Sequence, residues 1–389
     1  MAVDSRRTFG SGIGRYTSCL LEALTTPGAR EVLEIVELSP RPCGQTHVAW
    51  SQFEEPILFD WGRSRLEETI REAKADIFLA PQYYLPCNLS VPSIRVLHDA
   101  HPFWDSYQSP AAEVFEHLYG QDHLDALASA VGCCWSPSYA PDDRSVATLI
   151  QHMYFAVSRA PTSLATVSRF SAGELARFVP HTRGRWQVIY PFISNEISAA
   201  VDADDLPSRR VATRLALLSK MEPRKKQAET ILAVEEIRNR TGEPLHLHLI
   251  GGRTASFPEY ADRVEALAAG RDWVTIHDAL TDSSLVGLLC TSILVLFPST
   301  SEGFGFPAVE ALRCGAPVLA SSRSSIPEIC GEYAFYFDEF KESLAEAVYS
   351  ALAAARSKPR LDRQRYAYSL KFSASDFGAA WCELLRAHA

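Results

Sequence analysis

The stretch Ser292–Phe297, SILVLF, constrains the fold of this chain more than any other. It is strand-sized and almost wholly apolar, without the in-out alternation of a strand wetted on one side. Such a run suits a strand covered on both faces, as in a parallel sheet flanked by helices. A glycine loop over 300–306 follows, then a helix over 307–314 and a strand at Pro317–Ala320. The same order of strand, turn and helix recurs along the chain. Further strands are expected at Val32–Leu38, Ile77–Ala80, Ser93–Leu97, Ala165–Val167, Val188–Pro191, Arg214–Leu218, Pro244–Ile250 and Val274–His277. Helices are expected at Arg15–Leu24, 144–157, Ser168–Val179, 226–240, 258–269, 282–290, 341–355 and 375–388. This alternation reads as α/β with parallel sheets.

At 389 residues the chain suits two domains. The polar segment 196–213, with Asp202, Asp204, Asp205 and Pro207, reads as a linker between residues 1–195 and residues 214–372, and 373–389 as a C-terminal helix. Within the first domain, 104–155 is an excursion of helical segments around Cys133-Cys134-Trp135, of the kind that serves as a lid or binding loop. A net charge of −9 argues against a nucleic-acid partner, which would need a basic field. The sequence holds no apolar run of membrane-spanning length and its opening lacks a signal-peptide core. Its nine scattered cysteines have no C-x-x-C pair, so reduced, mostly buried thiols in a cytoplasmic protein are expected.

Four groups of residues carry chemistry. The first is the loop Ser301-Glu302-Gly303-Phe304-Gly305-Phe306 and the helix start Pro307 to Glu310. Gly303 and Gly305 allow close backbone approach to a ligand, and the N–H groups of the helix start point at an anion. Glu302 at the tip suits neutral hydroxyls and Glu310 a vicinal diol; alone, each would read as an ordinary solvated or dipole-stabilised acid. The second is the run Lys220, Arg224, Lys225, Lys226 after strand 214–218, suited to a diphosphate or equally to a solvated basic turn. The third is His98-Asp99 at a strand end, balanced between a substrate contact and a structural histidine. The fourth is the loop Gly10-Ser11-Gly12-Ile13-Gly14-Arg15, weak as a dinucleotide fingerprint because Arg15 stands where a glycine is needed. His246 and His248 share one face of a strand and read as structural.

The run from Glu302 to Glu310, continued by Gly315-Ala316-Pro317 and by Ala320 through Pro327-Glu328, resembles the E-(seven residues)-E signature of the retaining glycosyltransferases of family four. Gly12-Ile13-Gly14-Arg15-Tyr16 and His98-Asp99 resemble that family's amino-terminal landmarks, chiefly in its mannosyltransferase-like members. The resemblance is good from Arg214 to about Gly331 and loose over the rest. It implies the GT-B fold: two Rossmann-like domains facing a central cleft, with the C-terminal helix crossing back to the N-terminal domain. It also implies transfer of a hexose, mannose favoured, from a nucleotide diphosphate sugar to a hydroxyl of a glycan or lipid-linked acceptor, with retention and without a metal or other cofactor.

The resemblance further assigns roles. Glu302 binds the sugar hydroxyls, Glu310 the ribose, Lys220 and Lys225 the diphosphate. The backbone at Gly303, Phe304, Gly305 and Phe306 contacts sugar and phosphate. Ala279, within Asp278–Thr281, lies near the base; His98 touches the sugar; Gly12 and Gly14 belong to a loop closing on the diphosphate. Ser219-Lys220 departs from the family's Gly-Arg, which removes a bidentate fork. Asp202-Ala203-Asp204 is discounted as a metal motif because it lies in the linker. The basic stretch Arg177, His181, Arg183, Arg185 fits a peripheral contact with an anionic membrane or a solvated helix end.

Other readings remain open at this stage. An NAD(P)-dependent Rossmann oxidoreductase would use the Gly10–Gly14 loop with Glu37 as the ribose ligand. A nucleotide-sugar binder without activity, an epimerase and a phosphorylase are the others, the last needing a pyridoxal lysine that the sequence does not single out.

Overall fold

The computed structural model describes residues 1–4, 12–26, 29, 33–39, 42, 48–52, 65–81, 89–104, 112–131, 144–159, 162–201, 206, 210–357 and 361–387. They form two compact units. The first comprises Met1–Phe192 with Ser373–Ala389, the second Ile193–Phe372.

The first unit holds a seven-stranded, wholly parallel sheet. Its strands are β1 (Ala2–Asp4), β2 (Val36–Ser39), β3 (Ala49–Gln52), β4 (Phe78–Ala80), β5 (Ser93–Val96), β6 (Thr162–Thr166) and β7 (Trp186–Val188), in the order β3-β2-β1-β4-β5-β6-β7. The order reverses between β1 and β4, the switch point of a doubly wound sheet. The helix Gly12–Leu24 buries Tyr16, Leu20, Leu21 and Leu24. The C-terminal helix Ala374–Arg386 packs on it: Phe377 meets Tyr16 edge-on at 5.7 Å, and Trp381 is fully buried. The last helix therefore belongs to the N-terminal unit, as the GT-B expectation has it.

Several local boundaries differ from the sequence reading. The second strand begins at Val36, not Val32; residues 33–35 are coil and 31–32 lie outside the described residues. The seventh strand is Trp186–Val188 and stops before Ile189-Tyr190-Pro191. The first helix starts at Gly12, so Gly12 and Gly14 occupy its first turn and are not loop residues. Glycine's helix cost of about 1 kcal/mol is small beside the apolar face that the same helix buries. The excursion contains helices Ala112–Tyr119, Gln121–Val131 and Arg144–Arg159, with 132–143 outside the described residues. Leu124, Leu127, Val146, Leu149 and Met153 from them share a core with Leu175 and Val179.

The second unit holds a six-stranded parallel sheet of β8 (Val211–Leu218), β9 (His246–Ile250), β10 (Val274–His277), β11 (Ser292–Phe297), β12 (Val318–Ser321) and β13 (Phe335–Phe337), ordered β10-β9-β8-β11-β12-β13. Every residue of β11 is buried. Leu215, Leu217, Leu247, Leu249 and Leu294 face a core with Ile231, Val234, Val348 and Leu352 from the helices Gln227–Thr241 and Leu344–Ser357. The expected linker is in part built into this unit. Ser194 caps the short helix Asn195–Ala199, and Arg313 donates to Ser198 Oγ. Arg210 is a clamp: it donates to the carbonyls of Leu289 (3.0 Å), Cys290 (2.7 Å) and Ser292 (3.2 Å), and pairs with Asp362 at 3.1 Å.

Candidate functional site

The site of the second unit grows from the carboxyl ends of β8 and β11, neighbours at the switch point. Pro223 cannot extend a ladder, and after β8 the chain makes a short 3-10 turn, Pro223–Lys225. Lys226 adopts a left-handed φ of 56° before the helix Gln227–Thr241. This turn is stitched to the glycine loop: Thr300 N donates to Arg224 O at 3.0 Å, and Arg224 Nη1 donates to Ser301 O at 2.7 Å.

The side chains meet in the same place. Lys225 Nζ donates to Glu302 Oε1, and Arg224 Nη1 lies 3.3 Å from the same oxygen. Lys225 also sits over the Phe297 ring, 5.6 Å from its centre. Both partners are buried, Lys225 at 8% and Glu302 at 9% exposure. Burial lowers the Lys225 pKa, and the neighbouring Arg224 pushes the same way, with Glu302 opposing. Burial raises the Glu302 carboxyl, but Lys225 and Arg224 outweigh it and hold it below the ordinary carboxylate value. Glu302 is therefore an ionised acid held between two cations.

The backbone of the loop is equally fixed. Glu302 N donates to Ser324 Oγ at 3.1 Å, and Ser325 Oγ donates to Glu302 O at 2.9 Å. Ser324 takes a positive φ of 55°, rare for a residue with a side chain. The sequence reading assigned no role to these serines; the run of five polar residues Ser321–Ser325 at the end of a buried strand was the available signal. Gly305, at φ 95°, caps the helix Phe306–Arg313, and a Cβ there would come within 3.3 Å of the Phe297 ring. Phe304 is buried against Phe372 at 5.2 Å, so its side chain anchors the loop and only its backbone remains for a ligand. Glu310 is 1% exposed in that helix.

The ends of β9 and β10 complete this rim. Gly251, at φ 122°, lets Ser219-Lys220 pass so closely that a Cβ would lie 2.3 Å from Ser219 O. Met221 N donates to Gly252 O at 3.1 Å. Lys220 and Ala279 are exposed on these loops. Lys220 thus projects outward while Lys225 is drawn inward. His246 and His248 are structural, as read: His248 Nδ1 lies 3.0 Å from His277 Nε2, and the rings of His246 and His248 stack at 4.7 Å. No group of three His, Cys, Asp or Glu suited to a metal occurs among the described residues. Asp202-Ala203-Asp204 lies outside them.

In the first unit, His98 follows β5. Its Nε2 lies 2.8 Å from the Pro81 carbonyl, which can only accept, so Nε2 carries the proton and Nδ1 the lone pair. Burial lowers the His98 pKa, against the opposing effects of Pro81 and Asp99, which favours the neutral ring. Tyr16 meets it edge-on at 4.9 Å. Asp99 is a turn residue: its Oδ1 accepts from His101 N at 3.0 Å. Glu37, the acid that a dinucleotide site would need, is 1% exposed and takes a 3.2 Å hydrogen bond from Ser39 Oγ. Arg177, in the last turn of the helix Arg169–Phe178, and His181, Arg183 and Arg185 after it are exposed. Among the described residues no helix is long and apolar enough to cross a membrane. Cys19, Cys290, Cys314 and Cys330 are buried free thiols.

Two doubly wound parallel sheets, the second with a glycine loop at its switch point, make up the GT-B fold. The structure of HepE from Anabaena, solved in complex with UDP and glucose, is similar over 99% of this chain and 98% of its own, with a TM-score of 0.67 at 15% identity. Residues 212–354 match the family described as "Glycosyl transferases group 1". The O-antigen chain mannosyltransferase B of Escherichia coli is 25% identical over 83% of this chain and 81% of its own length. The serotype-specific mannosyltransferase WbdA of Escherichia coli is 34% identical over 121 residues, which is 30% of this chain but only 15% of WbdA. The second unit thus carries a region, residues 212–354, that matches the group 1 glycosyl transferases.

Proposed function

We propose that the protein transfers a hexose, mannose in the first instance, from a nucleotide diphosphate sugar to a hydroxyl of a glycan or lipid-linked acceptor in surface-polysaccharide synthesis. The observation that carries this reading is the buried Lys225–Glu302 pair, with half-buried Arg224 beside it, at the carboxyl ends of β8 and β11. A diphosphate competes with Glu302 for the two cations, and its arrival frees the carboxylate for sugar hydroxyls. Mannosyltransferase relatives support the choice of sugar.

In this reading Lys225, Arg224 and the exposed Lys220 stabilise the charge that develops on the departing diphosphate. The helix start after Gly305 adds its dipole at no reorganisation cost. The leaving diphosphate takes the acceptor proton on the face it leaves from, so the anomeric configuration is retained. Glu310 binds the ribose, the backbone at 303–306 sugar and phosphate, and the loop at Ala279 the base. To the N-terminal unit the same reading assigns His98, which would accept from a sugar hydroxyl at Nδ1, and Gly12 and Gly14, which would bind the diphosphate. No metal enters the scheme. A cytoplasmic setting, with Arg177 and Arg183 toward an anionic membrane, is part of the same proposal.

The test is a thermal-shift screen of the full chain against UDP, GDP, ADP, dTDP, NAD and NADP, followed by NMR of the product anomer from GDP-mannose. At ~100 times its dissociation constant a ligand adds ~2.7 kcal/mol. A shift with one nucleoside diphosphate and an α product are expected. A shift with NAD or NADP alone overturns the reading.

A further inference from the structure

We infer that Trp104, Phe170 and Glu174 form a hexopyranoside-binding platform on the N-terminal unit, where the acceptor glycan rests. The inference depends on the transferase reading for the word acceptor, but the platform itself is read from geometry.

The platform lies at the carboxyl ends of β5 and β6, where open parallel sheets receive ligands. After β5 the chain passes His98 and makes the 3-10 turn His101–Phe103, started by Asp99 and followed by Trp104. After β6, Ser168 caps the helix Arg169–Phe178, which carries Phe170 and Glu174. Ser171 Oγ donates to His98 O at 2.9 Å, tying that helix to the end of β5.

The turn is held far more firmly than its exposure requires. Phe103 stacks on Phe178 at 5.2 Å and meets Tyr154 and Phe155 edge-on at 5.5 and 5.8 Å. Gln151 Nε2 donates to Pro102 O at 2.6 Å. Trp104 stands on this base and is only half-buried. Its indole Nε1 donates to Glu174 Oε2 at 3.0 Å, and its ring meets Phe170 edge-on at 5.8 Å and His101 at 6.1 Å. The hydrogen bond fixes the plane of the indole. A half-buried aromatic ring thus stands beside a half-buried carboxylate.

Those two features together match the chemistry of a pyranose. The C–H face of the sugar covers an aromatic ring, and its equatorial hydroxyls donate to a fixed carboxylate. Glu174 keeps 20% side-chain exposure, and among the described residues its Oε1 has a long 3.5 Å approach from Arg177. A polar pair whose sole task was to join turn and helix would not need two flanking rings. Rigidity, half-buried aromatic rings and an oriented acid are the elements of a preorganised site.

The experiment uses the full chain with Glu174→Gln, which is near-isosteric, and Trp104→Phe, which keeps an aromatic ring and loses the indole N–H. Methyl α-mannoside, methyl α-glucoside and mannotetraose are titrated while tryptophan emission is followed. GDP and UDP thermal shifts and initial rates against both substrates are measured in parallel. Wild type is expected to show saturable quenching with at least one sugar, which Trp104→Phe abolishes. Both variants should raise the acceptor KM at least tenfold and leave the donor KM and the nucleotide shift within twofold. Unchanged acceptor KM and unchanged quenching in both variants overturn the inference, as does an equal loss of donor and acceptor binding, which marks a structural joint. If no nucleotide shifts the wild type, the transferase reading fails by itself, and the emission titration still decides the platform.

Discussion

Replacing Glu302 by Gln removes one charge and almost no volume, so its effect isolates the buried ion pair. The ammonium of Lys225 would stay 8% exposed beside the Arg224 guanidinium, with its counter-ion gone. Breaking a buried pair from one side costs roughly 3–5 kcal/mol. Arg224, whose side chain is 26% exposed, can turn outward to solvent, so the low end, ~3 kcal/mol, applies. For a domain of this size that is a fall of about 6–12 °C in Tm. The companion is Glu302→Gln with Lys225→Met, in which neither charge remains; it should recover about 2 kcal/mol of the loss. The assay is calorimetry of the ligand-free full chain, together with the nucleotide shift, which both variants should lose. A Tm within 1 °C of wild type for Glu302→Gln, or a double variant no more stable than the single one, would falsify the reasoning. Acid gives an independent check. The carboxyl of Glu302 is held below its ordinary value, so its contribution is complete above about pH 4.3 and is lost as pH falls through the lower native value.

Two further outcomes are expected. Gly315 sits at φ 64°, and a Cβ there would lie 2.8 Å from Asp362 O and 3.0 Å from Leu206 Cδ1; Gly315→Ala should cost about 2–3 kcal/mol in urea unfolding, and a loss under 0.5 kcal/mol would show that the contact is loose. Burial, then His246, His277 and Arg214, push His248 down to about 4, so the native state resists a proton that the unfolded chain accepts below about pH 6.5. Stability should therefore drop between those two values, and His248→Gln should flatten the slope in pH-dependent thermal unfolding; an unchanged slope would count against the histidine stack as its source.

Element by element, the sequence was informative wherever the pattern was strong and local. β11 lies at the residues of the apolar run, and the helix Arg169–Phe178 carries the Ser168 cap its sequence predicts. The glycine loop and its helix also stand where the spacing put them. The short elements escaped: β3, β13 and the helices Leu66–Glu72, Ile326–Cys330 and Leu361–Ser369 are too brief or too polar to show a period. The linker reading failed at Arg210 for a related reason, since a polar segment looks solvated until its partners are known.

What the amino-acid order decided by itself was the set of strands with continuous apolar runs and the capped helices. These depend on neighbours within a turn or two. Only the tertiary structure decided that Lys225 and Glu302, 77 residues apart, share a buried hydrogen bond. It likewise decided that Trp104 and Glu174, 70 residues apart, share one. Such pairs follow from strand order: β8 lies beside β11, and β5 beside β6, so the loops after them come together. Strand order is a property of the whole folded sheet, reached when every apolar face is covered at once, and no local window of sequence contains it.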